Sequence, residues 1–251
     1  TQNNKIRKLI KVNDLNILFE LNEKKGEGIG LELLNQPTDK EAFKLIAEYV
    51  IQWLDLETDL KKFYEIAAND LILRSLTEKY FGLRLVGIND LFEAICWAII
   101  GQQINLNFAY SLKKRWVEGF GEKLDYQGNT YYLHPQFKEI DEKIYPELLK
   151  IQFSKQKARY IIEIAQAMQS GEITSQKLQN QSFSEAKKTL CQIKGIGNWT
   201  ANYVLMKSLR HREAFPIEDV GLHNAIKNQL GLGNKPNLLQ ISQLSQNWQG
   251  W

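Results

Sequence analysis

The residues best able to do chemistry lie in two runs. One is Leu190-Cys-Gln-Ile-Lys-Gly-Ile-Gly-Asn-Trp-Thr-Ala-Asn-Tyr-Val-Leu205, the other Phe215-Pro-Ile-Glu-Asp-Val-Gly-Leu-His-Asn-Ala-Ile226. In the first, Gly195 and Gly197 flank Ile196 between two helical periodicities, Ser184–Cys191 and Thr200–Leu209. Glycine admits positive φ and the close approach of another surface. The helix that follows opens with unpaired N–H groups and the positive end of its dipole, which together seat one phosphate. The same turn also serves as a plain helix–helix connection, with Ile196 plugging the groove. Trp199 and Tyr203 stand four residues apart and share a helix face. Such a pair is either core packing or an aromatic wall that attracts an electron-poor, positively charged ring. Asp219 lies twenty residues beyond Trp199 and directly precedes the helical run Val220–Leu230. A carboxylate there is an N-cap or, when partly shielded from water, a group that stabilises developing positive charge and orients a water molecule.

The elements that must position these residues follow from periodicity. Lys5–Val12, Asn16–Leu21 and Ile29–Leu34 are short apolar or alternating runs separated by turn chemistry at Asn13-Asp14 and Lys24-Lys25-Gly26-Glu27-Gly28. They predict an antiparallel meander. Thr38 with Glu41 reads as a capping box opening a helix through Ala42, Leu45, Ile46, Tyr49, Val50 and Trp53. From Asp55 onward the pattern is helical, with a small hairpin expected around Gly128-Asn129. The helix after Asn89-Asp90 is apolar nearly all round, which marks a central one. The fold class is therefore α+β: a small mixed N-terminal domain, residues 1–67, and a larger all-helical region, residues 68–251.

Composition narrows the function classes. The chain has 251 residues, 43% hydrophobic and 24% charged, which excludes wholesale disorder and a fibrous rod. The net charge of +3 is too small for broad electrostatic binding, although Lys113-Lys114-Arg115, the trio Lys155, Lys157 and Arg159, and Arg210-His211-Arg212 could form a basic patch. Two cysteines, Cys96 and Cys191, cannot build a disulfide scaffold or ligate an iron–sulfur cluster. His134, His211 and His223 have no zinc-ligand spacing. The uncharged stretch Ala94–Leu112 approaches the length of a membrane span, but Gly101, Gln102, Gln103, Asn105 and Asn107 make it a buried helix leading into a polar loop. The opening Thr1-Gln-Asn-Asn-Lys is not followed by the apolar stretch of a signal peptide. An intracellular chain acting without a membrane is expected.

Taken together, Gly195-Ile-Gly-Asn-Trp-Thr-Ala201, the Phe215-Pro-Ile-Glu-Asp219 element and Phe92-Glu-Ala-Ile-Cys-Trp-Ala-Ile-Ile-Gly-Gln-Gln103 resemble the helix–hairpin–helix (HhH-GPD) DNA glycosylase superfamily. The resemblance is closest to its DNA-3-methyladenine glycosylase II, or AlkA-like, branch. It covers about 91–226 and implies that the helical region is an HhH-GPD glycosylase core. It implies a monofunctional enzyme of base excision repair that hydrolyses the N-glycosidic bond of alkylated purines in duplex DNA. Alternatives on the same motifs are a glycosylase for oxidised or deaminated bases and a non-catalytic DNA-binding hairpin.

The family's roles pass to matching positions of this chain. Asp219 is expected to be catalytic, and Trp199, Tyr203 and Gln102 to line the base pocket. Gln103 or Ile104 would be the wedge filling the gap left by the flipped base; relatives often carry an apolar residue at 103. Lys194, Gly195, Gly197 and Thr200 would hold a phosphate. Backbone carbonyls of Cys191, Ile193 and Ile196 would hold a monovalent cation, Na+ or K+. No other cofactor is implied. Relatives that also cut the strand place a Schiff-base lysine where this chain has Trp199, so no lyase activity is expected. The implied partner is damaged double-stranded DNA, met by a monomer in the cytoplasm or at the nucleoid of a bacterium. In the family a Trp-rich turn like Asn247-Trp-Gln-Gly-Trp251 leads into a further helix that adds an aromatic to the pocket; that helix lies beyond the present sequence, and the N-terminal domain looks short.

Overall fold

A computed structural model describes residues 5–12, 14–24, 26, 28–35, 40–248 and 250–251. The expected capping box at Thr38 lies outside the described residues. Three strands come first: β1 (Lys5–Val12), β2 (Leu15–Lys24) and β3 (Gly28–Leu33). Helices α1 (Lys40–Leu54), α2 (Lys61–Ala68), α3 (Leu73–Lys79), α4 (Leu91–Gly101) and α5 (Leu106–Phe120) follow. A hairpin, β4 (Lys123–Tyr126) and β5 (Asn129–Tyr132), precedes α6 (Ile144–Lys150) and α7 (Lys155–Gln169). The chain continues with α8 (Ser175–Gln179), α9 (Phe183–Cys191), α10 (Asn198–Lys207), α11 (Val220–Gln229) and α12 (Leu238–Leu244). This is the small antiparallel sheet and helical core that the α+β reading expected.

Contacts divide the chain into two compact units that interleave in sequence: Thr1–Gln52 with Ile100–Gln166, and Trp53–Ile99 with Ala167–Trp251. The division expected at residue 67 is a single cut along the chain and is of another kind.

In the first unit β1, β2 and β3 form an antiparallel meander in that order. The central strand hides Ile17, Leu18, Phe19 and Leu21 in near succession, as a strand covered on both faces does. Glu20 is also buried, opposite Arg7 in the register; Lys5 Nζ and Arg7 Nε donate to its two oxygens at 2.6 and 2.8 Å. These bonds hold its carboxyl below the usual range. Leu9 and Leu18 pack with Leu133, Leu124, Tyr126 and Tyr131 of the β4–β5 region. The hairpin turns at Gln127-Gly128, both with positive φ, and not at Gly128-Asn129, because Asn129 already pairs with Tyr126.

The second unit contains α2, α3, most of α4 and α8 to α12. Ile72, Ile226 and Ile241 form a cluster onto which Phe215, Ile217 and Leu222 pack. The helical pattern from Asp55 onward includes four short helices, α3, α6, α8 and α12, whose bounds periodicity does not mark, since five to seven residues hold too few turns to show one. The uncharged stretch of 94–112 is two helices, broken between Gly101 and Leu106. Among the described residues no helix is long and apolar enough to cross a membrane.

Candidate active site

The helix–turn–helix of α9 and α10 begins with a reciprocal cap. Ser182 accepts from the Glu185 N–H, and the Glu185 carboxylate accepts from the Ser182 N–H at 2.9 Å. In the turn Gly195 has φ +92°, a left-handed conformation that only glycine takes without strain. Ile196 is buried and plugs the turn from inside. Gly197 is different: its φ is −93° as the N-cap of α10, and a Cβ there would meet nothing within 4 Å. This chain's own fold therefore does not demand a glycine at 197, and its exposed face is left smooth for an incoming group. Lys194, Gly197 and Asn198 are exposed on the same turn, whereas Thr200 is buried. The carbonyl of Ile193 accepts the Ile196 N–H at 3.1 Å, which leaves its second lone pair. A neutral carbonyl oxygen is the kind of donor a monovalent cation takes.

Helix α10 starts at Asn198, so Trp199 stands in its first turn and Tyr203 one turn on. Their rings stack at 5.3 Å between centroids with 23° between planes, and both are half-buried. Asp219 is the N-cap of α11. Its Oδ1 accepts the Leu222 N–H at 2.9 Å and its Oδ2 accepts the Trp199 indole N–H at 2.9 Å. Both oxygens are thus aimed by donors, one from a helix end and one from the aromatic wall. The Phe215–Glu218 approach is held from below by the packing of Phe215 and Ile217 on Ile226 and Ile241, and by a 2.9 Å bond from the Asp219 N–H to the Pro216 carbonyl. The cap uses Oδ1 alone, and Oδ2 faces the indole of Trp199.

A residue without an expected role joins this group. Trp97 of α4 donates its indole N–H to the Tyr203 hydroxyl at 3.0 Å. Nothing in the local pattern of an all-apolar helix singles it out.

Gln102, Gln103 and Ile104 form the loop between α4 and α5 and belong to the first unit. Gln103 is exposed and has φ +55°, while Ile104 is half-buried. Lys157 Nζ donates to the Ile100 carbonyl at 2.6 Å, capping the end of α4 just before the loop; burial pushes its pKa down. Lys157 is therefore occupied, as are several other members of the expected basic clusters. Arg159 pairs with Glu142, Arg115 binds the Ile151 carbonyl and Gln152, and Arg210 binds the Leu85 and Trp53 carbonyls. A patch of free cations at those residues is not what the structure has.

A family model described as HhH-GPD superfamily base excision DNA repair protein matches residues 96–249. The chain belongs to the HhH-GPD superfamily. The model of the 8-oxoguanine DNA glycosylase N-terminal domain matches residues 1–95 of this HhH-GPD protein. A DNA-3-methyladenine glycosylase of Bacillus subtilis is 42% identical over 252 residues, spanning 100% of this chain and 83% of the relative. Among solved structures, a 3-methyladenine DNA-glycosylase from Archaeoglobus fulgidus superposes with a TM-score of 0.85 at 25% identity, covering 98% of this chain and 82% of that one. An 8-oxoguanine glycosylase/lyase from Clostridium acetobutylicum, solved with double-stranded DNA, shares the HhH-GPD fold at a TM-score of 0.75 and 19% identity, covering 96% of this chain and 81% of that one.

Proposed function

We propose that this chain is a monofunctional DNA glycosylase that removes alkylated purines of the 3-methyladenine type from duplex DNA in base excision repair. The observation that carries the reading is the double grip on Asp219, one oxygen on the α11 N–H and the other on the Trp199 indole. The names of the Bacillus and Archaeoglobus relatives support the substrate class.

The chemistry follows from the residues. A flipped methylated purine carries positive charge and is already a good leaving group, so stacking and cation–π attraction on Trp199 and Tyr203 suffice to hold it. As the C1′–N bond breaks, its electron pair leaves with the base and positive charge grows on the sugar. The Asp219 carboxylate stabilises that charge; a water then adds its oxygen at C1′ and gives its proton to that carboxylate, which passes it to solvent, leaving an abasic site. Trp199 has no amine for a Schiff base, so the strand is left uncut. Lys194 to Asn198 would seat one phosphate, with a Na+ or K+ on the carbonyls of Cys191, Ile193 and Ile196 adding positive charge beside it. Gln103, exposed on its strained loop, is the better wedge than Ile104.

The test is release of free methylated base from alkylated duplex DNA. Wild type should release it, Asp219→Asn should not, and borohydride should trap no covalent protein–DNA adduct. Salt-sensitive DNA binding with no base released would make the chain a non-catalytic hairpin module. Release of 8-oxoguanine or hypoxanthine in preference to 3-methyladenine would move it to the oxidised- or deaminated-base class.

A further inference from the structure

We infer that Trp97 is a positioning residue for the base pocket, holding Tyr203 in its stack on Trp199; this rests on the glycosylase reading above. On α4 every residue from Ala94 to Ile100 is buried except Trp97, which is half-buried. A bulky amphipathic ring on the exposed side of an otherwise hidden helix needs a partner for its N–H, and that partner is the Tyr203 hydroxyl at 3.0 Å.

The geometry of a tyrosine gives the bond its meaning. The Oη atom lies on the axis about which the ring turns, so a hydrogen bond to it fixes where the ring stands and not how its plane is rotated. The stack on Trp199, at 5.3 Å and 23°, acts on the plane. Trp199 in turn is fixed at its far edge by its 2.9 Å bond to Asp219 Oδ2. The four side chains thus form one series from α4 to the N-cap of α11: hydrogen bond, stack, hydrogen bond. Trp97 is the end of the series on α4, opposite the carboxylate end on α11. It keeps the aromatic wall formed before a base arrives, so that binding does not have to order it.

Trp97→Phe keeps a ring and removes the donor; Tyr203→Phe keeps the stack and removes the acceptor. Under single-turnover conditions each is expected to raise the enzyme concentration needed for half-maximal release of 3-methyladenine by about tenfold, with the maximal rate changed less than about threefold because Asp219 keeps its own donors. The double variant should be no worse than either single one, since both delete the same bond. Multiplying effects, or a Trp97→Phe protein indistinguishable from wild type, would overturn the inference. A readout free of activity accompanies it. Among the six indole N–H resonances of the protein, the one lost in Trp97→Phe should shift in Tyr203→Phe, and an unmoved resonance counts against the bond. If wild type releases no base while that resonance does shift, the glycosylase reading fails and the bond stands.

Discussion

Two substitutions, one at Asp219 and one at Gly221 beside it, separate the roles of the carboxylate. Asp219→Asn keeps an N-capping side chain, so the melting temperature should stay within a few degrees of wild type, while base release falls by about a hundredfold or more. Assay and melting curve together check this; equal loss of both would make Asp219 a cap and nothing else. Gly221 offers a gentler probe. A Cβ there would approach Asp219 Oδ1 to 2.8 Å, closer than such contacts allow. Alanine favours a helix over glycine by about 1 kcal/mol, so Gly221→Ala should keep or raise stability while moving the carboxylate and slowing release. A variant that is both more stable and as fast as wild type would show that the carboxylate's placement is not critical.

At the scale of elements, the α9–α10 turn makes opposite predictions for its two glycines. Gly195→Ala places a side chain at φ +92° and should cost about 1–3 kcal/mol of stability. Gly197→Ala has an ordinary φ and open space around the new Cβ, so stability should fall only by the N-cap preference for glycine over alanine, about 1 kcal/mol or less, but affinity for any DNA should fall if a phosphate sits against that face. Denaturation and binding measured on the same two proteins decide it. The sheet has its own test. Glu20 is held ionised by Lys5 and Arg7, with its folded pKa below the unfolded value. Its contribution is therefore present above about pH 4.3, the ordinary glutamate value, and is lost as pH falls through the lower folded value. Glu20→Gln should destabilise the protein at neutral pH and flatten its acid unfolding curve.

For the whole molecule, the near balance of charge and the internal engagement of Lys157, Arg159, Arg115 and Arg210 limit how many cations can meet phosphates. Each phosphate neutralised contributes about −0.9 to the slope of log affinity against log salt. A slope shallower than about −4 is expected on undamaged duplex, and a steep one, near −8, would show that a basic surface had been missed. On the proposed function, recognition would then rest on the flipped base and the hairpin more than on the field of the protein.

The sequence by itself was enough for whatever depends on neighbours along the chain. Strand β1 falls on the residues expected, the three runs pair as the antiparallel meander that the turns between them required, and Asp219 caps the helix that starts beside it, because strand runs, turns and N-caps are local geometry. The motif spacing likewise identified the superfamily. Local pattern could not reveal the partner of Asp219 Oδ2, the role of Trp97, the burial of Thr200 or the internal bonds of Lys157 and Arg210. Each of these joins residues from 20 to 157 positions apart or depends on which face of a helix is covered. A residue's type states which bonds it can make, and only the packing of distant segments decides which of them it makes.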